Sequence, residues 1–169
     1  MLDKEMDINT LKRNCITALK TFFGEDIRRI NHALAVLKFA EKILETESGN
    51  PRIVLPAAIF HDVGIKIAEE KYGSTAGRYQ EKEGPPVAEK ILTDLDLPAE
   101  DITEICEIIA HHHSPGIVKT ANFQVLYEAD WLVNLGDDFA DHSREKKRVL
   151  IEKNFKTAAG MKLAQELYQ

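Results

Sequence analysis

Apolar residues recur at three- and four-residue steps along most of the chain, the spacing of amphipathic α-helices. The first such segment places apolar residues from Ile8 to Phe22 on one side, and Gly24 follows as its predicted end. A second helix is predicted from about Glu25 to Glu45. The segment Ser48-Gly49-Asn50-Pro51 separates it from the next helix, because a proline disfavours helical backbone in the residue before it.

The third segment, from Ile53 to about Lys71, begins almost wholly apolar and becomes charged after Lys66. Since a helix that is hydrophobic on every side is buried, we predict that this single helix lies in the middle of a bundle. The glycine- and serine-containing stretch after it, from Tyr72 to Glu83, is predicted to be a loop. The next helix is expected to run from Pro85 to about Leu95.

Later segments complete the pattern. Helices are predicted from Pro98 to Ser114 and from Asn122 to Leu135, followed by two shorter ones. The sequence contains neither an internal repeat nor a turn dipeptide between alternating apolar runs. We therefore predict an all-α bundle of about eight helices in a single domain, residues 1–169. Its core would span about residues 28–135, with C-terminal helices in 140–169.

Composition narrows the class of protein. With 169 residues, of which 44% are hydrophobic, the chain is long enough to bury a core. Cys15 and Cys106 are far apart and are expected to be buried free thiols. No apolar run approaches the ~20 residues of a membrane helix, so we expect a cytoplasmic protein without membrane contact. The net charge of −6 argues against nucleic acid as a partner, while a homodimer is one possible assembly.

Titratable residues stand at unexpected places in the apolar segments. His32 lies inside the second predicted helix, and His61-Asp62 interrupts the most apolar one. Asp130 lies between Ala129 and Trp131. An unpaired carboxylate in an apolar interior costs several kcal/mol, and these segments contain no lysine or arginine beside it. The two aspartates therefore need another partner.

A divalent ion satisfies that need. Carboxylate oxygens together with imidazole nitrogens suit Mn, Fe, Co, Ni or Zn better than calcium. The absence of clustered thiolates argues against a structural zinc site. Taken singly, each residue also has an ordinary interpretation: His32 as a hydrogen-bonded core histidine, His61-Asp62 as a local pair on a helix, and Asp130 as a helix cap.

The order of these residues resembles the HD-domain superfamily of metal-dependent phosphohydrolases. The pattern of histidine, then histidine-aspartate, then aspartate covers roughly Arg28 to Leu135. The resemblance implies one metal ion held by four residues, which are His32, His61, Asp62 and Asp130. Some members of the superfamily hold a second ion with further histidines, and in the run His111-His112-His113 the best matches to these are His112 and His113. Because successive helical residues turn by about 100°, no more than two of the three point the same way.

This sequence departs from the two-metal pattern. Gln80 stands four residues before Gly84, where a histidine is usual, although Glu81 or Glu83 could substitute as a ligand. The second ion is therefore left open. Arg28 stands where members with three metals have an acidic ligand, so a three-metal site is not expected.

The resemblance implies hydrolysis of a phosphate ester or anhydride, of a nucleotide or a related small phosphorylated metabolite. Asp62 would hold the metal and orient the attacking water, with Lys66 as a further catalytic candidate. Arg28 and Arg29 are candidates to bind substrate phosphate, since guanidinium groups bind phosphate oxygens in a forked geometry. The stretch Tyr72–Glu83 is expected to cover the substrate. Two alternatives stay open: a catalytically weak ligand sensor or interaction module, and a dinuclear iron oxygenase.

Overall fold

The computed structural model describes residues 5–169, which form α-helices and no β-strand. The predicted all-α fold is thus confirmed. The helices are α1 (Ile8–Phe23), α2 (Ile27–Leu44), α3 (Pro51–Phe60), α4 (Gly64–Tyr72), α5 (Gly77–Asp94), α6 (Ala99–His111), α7 (Ala121–Gly136), α8 (Arg144–Asn154) and α9 (Ala158–Tyr168).

The helix ends follow from capping residues in the sequence. Asp7, Asn50 and Thr120 accept hydrogen bonds from backbone N–H groups in the first turns of α1, α3 and α7. These side chains satisfy donors that a helix start leaves unpaired. Gly24 ends α1 with φ +59°, a backbone conformation that glycine adopts without steric cost.

Helix α3 forms the centre of the bundle, as its sequence predicts. All of its residues from Ile53 to Phe60 are buried. It packs against α1, α2, α6 and α7, while α4 and α5 extend the bundle through α6. Helix α2 lies along α7, so the two helices that carry His32 and Asp130 are neighbours.

The prediction of one helix from Ile53 to Lys71 is wrong. Helix α3 ends at Phe60, a turn covers residues 61–63, and α4 begins at Gly64. On a continuous helix, His61 and Asp62 would point about 100° apart. In the turn, His61 Nε2 and Asp62 Oδ2 are 3.4 Å apart. The break therefore brings two adjacent side chains to one place.

A close approach of two helices fixes the position of this turn. A Cβ atom on Gly64 would collide with the carbonyl oxygen of Gln80 and would lie 2.7 Å from the nitrogen of Gly84. Gly84 is also closely packed, because a Cβ there would lie 2.9 Å from the side chain of Ile109. Glycines at 64 and 84 therefore allow α4, α5 and α6 to come together directly behind the His61-Asp62 turn.

The prediction that the next helix starts at Pro85 is also wrong. Helix α5 begins at Gly77 and continues through Pro85 and Pro86, so most of the segment expected to be a loop over substrate is helical. Each proline removes one backbone hydrogen bond. The contacts of the buried residues Gln80, Glu83 and Gly84 with neighbouring helices offset that loss. Only residues 73–76 lie outside the helices here.

The C-terminal helices are tied to α7 by a buried carboxylate. Glu128 is fully buried and accepts hydrogen bonds from the backbone nitrogens of Lys156 and Thr157 and from the side chains of Gln124 and Thr157. Tyr168, at the end of α9, donates to the carbonyl oxygen of Leu132. Helix α7, which carries Asp130, is therefore also held by the C-terminal segment.

Both cysteines are free thiols. Cys15 is buried, and burial raises the pKa of its thiol to about 12. Cys106 is half-buried, and burial raises its pKa to about 11. Among residues 5–169, no helix combines the length and apolar character needed to cross a membrane.

We predict that Gly64→Ala destabilises the protein by about 1–3 kcal/mol, because the added methyl group must push α4 away from α5. The measurement is chemical denaturation followed by circular dichroism. Glu70→Ala, on the exposed face of the same helix, is the control and should change the free energy of unfolding by less than about 0.5 kcal/mol. Equal stability of the two variants would contradict the close-packing explanation.

Candidate metal centre

Four side chains from three parts of the fold meet in one place. His32 comes from α2, His61 and Asp62 from the turn after α3, and Asp130 from α7. His32 Nε2 lies 3.2 Å from His61 Nε2, 3.3 Å from Asp62 Oδ2 and 3.2 Å from Asp130 Oδ1. His61 Nε2 lies 3.4 Å from each of the two carboxylate oxygens. Residues separated by as many as 98 positions thus share one cluster.

The backbone determines which nitrogen of His61 faces the cluster. His61 Nδ1 lies 2.7 Å from the carbonyl oxygen of Ala58 and must donate its proton to it. In the neutral ring, Nε2 is then a lone-pair acceptor, and it points at two carboxylates and a second imidazole. A group of acceptors this close together requires a shared positive charge, either a proton or a metal ion.

Without a metal, protons supply that charge. Burial disfavours the charged form of His61, but the carboxylates of Asp62 and Asp130 outweigh it and raise the pKa of His61 well above its usual value. Burial alone would raise the pKa of Asp62 and of Asp130. The positive charge on His61, together with hydrogen bonds from His61 and His112 to Asp62 and from His32 and His61 to Asp130, outweighs burial and holds both pKa values well below the usual range.

The donor set also fits a divalent transition metal. Ligand atoms about 2.0–2.2 Å from one ion lie roughly 3.0–3.5 Å from their neighbours, which is the spacing within this cluster. The ligand atoms of His32, His61 and Asp62 all lie within 4.8 Å of one another. Mixed imidazole and carboxylate ligands favour Mn, Fe, Co, Ni or Zn over calcium.

A second group of possible metal ligands shares Asp62 with the first and consists of Asp62, His112 and His113. The Oδ1 atom of Asp62 lies 3.4 Å from Nε2 of His112, and the ligand atoms of the three residues lie within 4.8 Å of one another. His112 Nδ1 lies 2.7 Å from the carbonyl oxygen of Ile109, so this ring also turns Nε2 inward. That nitrogen is buried and has no hydrogen-bond partner among the described residues.

A cleft of about 1070 Å³ opens onto the cluster. Arg28 and Arg29, at the start of α2, both line it. Arg29 is held by Glu69 at 2.7 Å and by Asp26 at 2.9 Å. Arg28 is exposed and forms no ion pair with any residue that the structure describes. Of the two, Arg28 has the guanidinium group that is available to a ligand.

Three predicted site residues lie elsewhere. The ammonium of Lys66 lies 5.3 Å from the ring centre of Phe22 on α1, so the structure does not bring it to the cluster. Glu83 lines a different cavity, and its carboxylate binds Lys71 and Tyr72. Glu81 accepts from the backbone nitrogen of His113 and from the hydroxyl of Ser114. Gln80 does reach the second group, where its Oε1 lies 3.0 Å from His113 Nε2.

Sequence reasoning missed part of the cleft wall. Asn134 and Asp137 line the cleft from the same helix end as Asp130. They follow Asp130 by four and seven positions, the spacing that places residues on one helix face. That spacing was the available signal. Asp138 and Thr75 also line the cleft, and no pattern in the sequence marks them.

A comparison with models of known protein families identifies the family of this chain. The family model described as HD domain matches residues 29–135. The chain belongs to the HD domain family. That match includes His32, His61, Asp62 and Asp130, and HD domains bind divalent metals.

The fold has a solved counterpart. The crystal structure described as a predicted HD superfamily hydrolase from an uncultured Thermotogales bacterium matches with a TM-score of 0.70. The two chains are 21% identical over 96% of this HD protein and 91% of the other chain. At that identity the similarity establishes the fold alone. A search of curated proteins gives no match.

We predict that binding of a divalent ion to this HD protein releases protons near neutral pH. The raised pKa of His61 means that its imidazole is protonated in the ion-free protein, and a metal must replace that proton. Apparent affinity should therefore fall as the pH drops. Titration calorimetry with Mn²⁺ in two buffers of different ionisation enthalpy measures the protons released. An identical heat in both buffers would show that no proton is exchanged.

Proposed function

We propose that this protein is a metal-dependent phosphohydrolase that acts on a phosphate ester or anhydride of a small metabolite such as a nucleotide. The observation that carries the proposal is the convergence of His61 Nε2 and His32 Nε2 with two carboxylate oxygens at 3.2–3.4 Å. Membership of the HD domain family supports the same conclusion.

His32, His61, Asp62 and Asp130 would hold the ion. A divalent ion in such a site lowers the pKa of a water molecule and draws negative charge from a phosphoryl group. His61 contributes a ring whose orientation is fixed by the carbonyl oxygen of Ala58. A fixed ring needs little reorganisation when it binds, which favours both affinity and selectivity.

Asp62 has a second role in the proposal. Its Oδ2 atom faces His32 and His61, whereas its Oδ1 atom faces His112. A carboxylate placed between the two groups can orient a water molecule for attack and accept its proton. Its side chain is 16% exposed, so water and substrate can reach it from the cleft.

Arg28 is the proposed contact for substrate phosphate. It lines the cleft, is exposed, and pairs with none of the described acidic groups. Arg29 instead bridges Asp26 and Glu69, which links the first turn of α2 to α4. Its role in this proposal is to position that wall of the cleft. The cleft of about 1070 Å³ is large enough for a nucleotide-sized ligand.

We expect Asp62→Ala and His61→Ala each to reduce phosphate release more than about 100-fold, because each removes a proposed metal ligand. The assay uses metal-free protein supplemented with Mn²⁺ or Co²⁺ and a panel of aryl phosphates and nucleotides. His142→Ala and Asp94→Asn, exposed residues outside the cleft, are matched controls and should retain activity.

Two results would contradict the proposal. Full turnover by Asp62→Ala with unchanged helical circular dichroism would remove the proposed role of that carboxylate. A nucleotide that binds tightly to the Mn²⁺-loaded protein without being cleaved, together with no turnover across the panel, would favour a ligand sensor instead.

A further inference from the structure

The two histidine-carboxylate groups are unequal in the number of donors that they can offer. The first group combines two imidazoles with two carboxylates. The second contains Asp62 Oδ1, His112 and His113. His112 Nε2 is buried, without a hydrogen-bond partner among the described residues, and is oriented toward Asp62. The contribution of His113 depends on its neighbour, Gln80.

Gln80 is buried on α5, and both ends of its amide are occupied. Its Nε2 atom donates to the carbonyl oxygen of Thr75 at 2.6 Å. A carbonyl oxygen only accepts hydrogen bonds, so the amide nitrogen must face Thr75 and the amide oxygen must face His113. Gln80 Oε1 lies 3.0 Å from His113 Nε2. That nitrogen therefore carries a proton that it donates to Gln80.

This hydrogen bond removes one nitrogen of His113 from metal binding. A neutral imidazole with a proton on Nε2 can offer only Nδ1, and an amide oxygen is a poor ligand for transition metals beside imidazole. Glu81 and Glu83 do not replace the lost ligand. The carboxylate of Glu81 accepts hydrogen bonds from the backbone nitrogen of His113 and from the hydroxyl of Ser114. The carboxylate of Glu83 is bound to Lys71 and Tyr72. The donors that remain are Asp62 Oδ1, His112 Nε2 and, from His113, Nδ1 alone.

We propose that Gln80 makes the second cation position weak, so that the protein keeps one ion firmly and exchanges another with the solution. This inference rests on the proposed metal centre but not on the proposed substrate. It makes occupancy of the second position depend on the concentration of free ion. Gln80 acts here as a positioning residue, because it withholds Nε2 of His113 and does not itself bind the ion.

The test is titration of metal-free protein with Mn²⁺, followed by calorimetry and electron paramagnetic resonance. The unmodified protein should bind one ion tightly and a second at least about 10-fold more weakly. Gln80→His adds an imidazole and should tighten the second position by about 10–100-fold while the first stays unchanged. It should also give the resonance signal of two coupled manganese ions once both positions fill.

A second substitution, Gln80→Glu, keeps the test valid if the Gln80→His variant does not fold. Gln80→Glu adds a carboxylate ligand of nearly the same shape and should tighten the second position in the same direction. Gln165→His places a histidine on an exposed position of α9 and is the control for a merely added imidazole. It should bind Mn²⁺ like the unmodified protein. Thermal unfolding verifies that each variant is folded.

The possible results separate this inference from the proposed function. Two equally tight ions in the unmodified protein would overturn the inference, and so would an unchanged second affinity in folded Gln80→His and Gln80→Glu. Both outcomes leave the first ion and the proposed activity in place. Absence of any bound Mn²⁺ would instead remove the proposed metal centre and this inference with it.

Discussion

The Nε2 atoms of His32 and His61 lie 3.2 Å apart, and each lies 3.2–3.4 Å from one oxygen of Asp62 and one of Asp130; this cluster beside the core needs a positive charge. Water cannot provide that charge, and the nearby arginine Arg29 is already paired. A proton can do so, which explains the raised pKa of His61. A divalent ion supplies two positive charges where a proton supplies one. The binding of that ion is therefore coupled to protonation of the cluster.

Several packing features of the bundle hold the residues of this cluster in position. An apolar helix, α3, ends at Phe60, and the turn after it brings His61 and Asp62 together. Glycines at 64 and 84 let α4 and α5 pack tightly behind them. At the C-terminal helices, buried Glu128 connects α7 to the start of α9. The position of Asp130 thus depends on helices beyond residues 29–135, the part that the family model matches.

Much of this could be predicted from the sequence, because helical periodicity and buried acids are local signals. The central position of α3 follows from such signals, while the grouping of His32, His61, Asp62 and Asp130 was implied by the resemblance to the HD-domain superfamily. Other features depend on contacts between distant residues. The break after Phe60 depends on how Gly64 meets Gly84, and the distance of Lys66 from the cluster depends on packing against Phe22. The hydrogen bond from His113 to Gln80 likewise requires α5 to continue through two prolines.

The most direct test of the central claim is anomalous diffraction at the manganese edge from crystals grown with Mn²⁺ and without a histidine tag. The account predicts a strong peak within bonding distance of His32 Nε2, His61 Nε2, Asp62 Oδ2 and Asp130 Oδ1. No peak there under excess Mn²⁺, or a strong peak only at surface carboxylates, would contradict it.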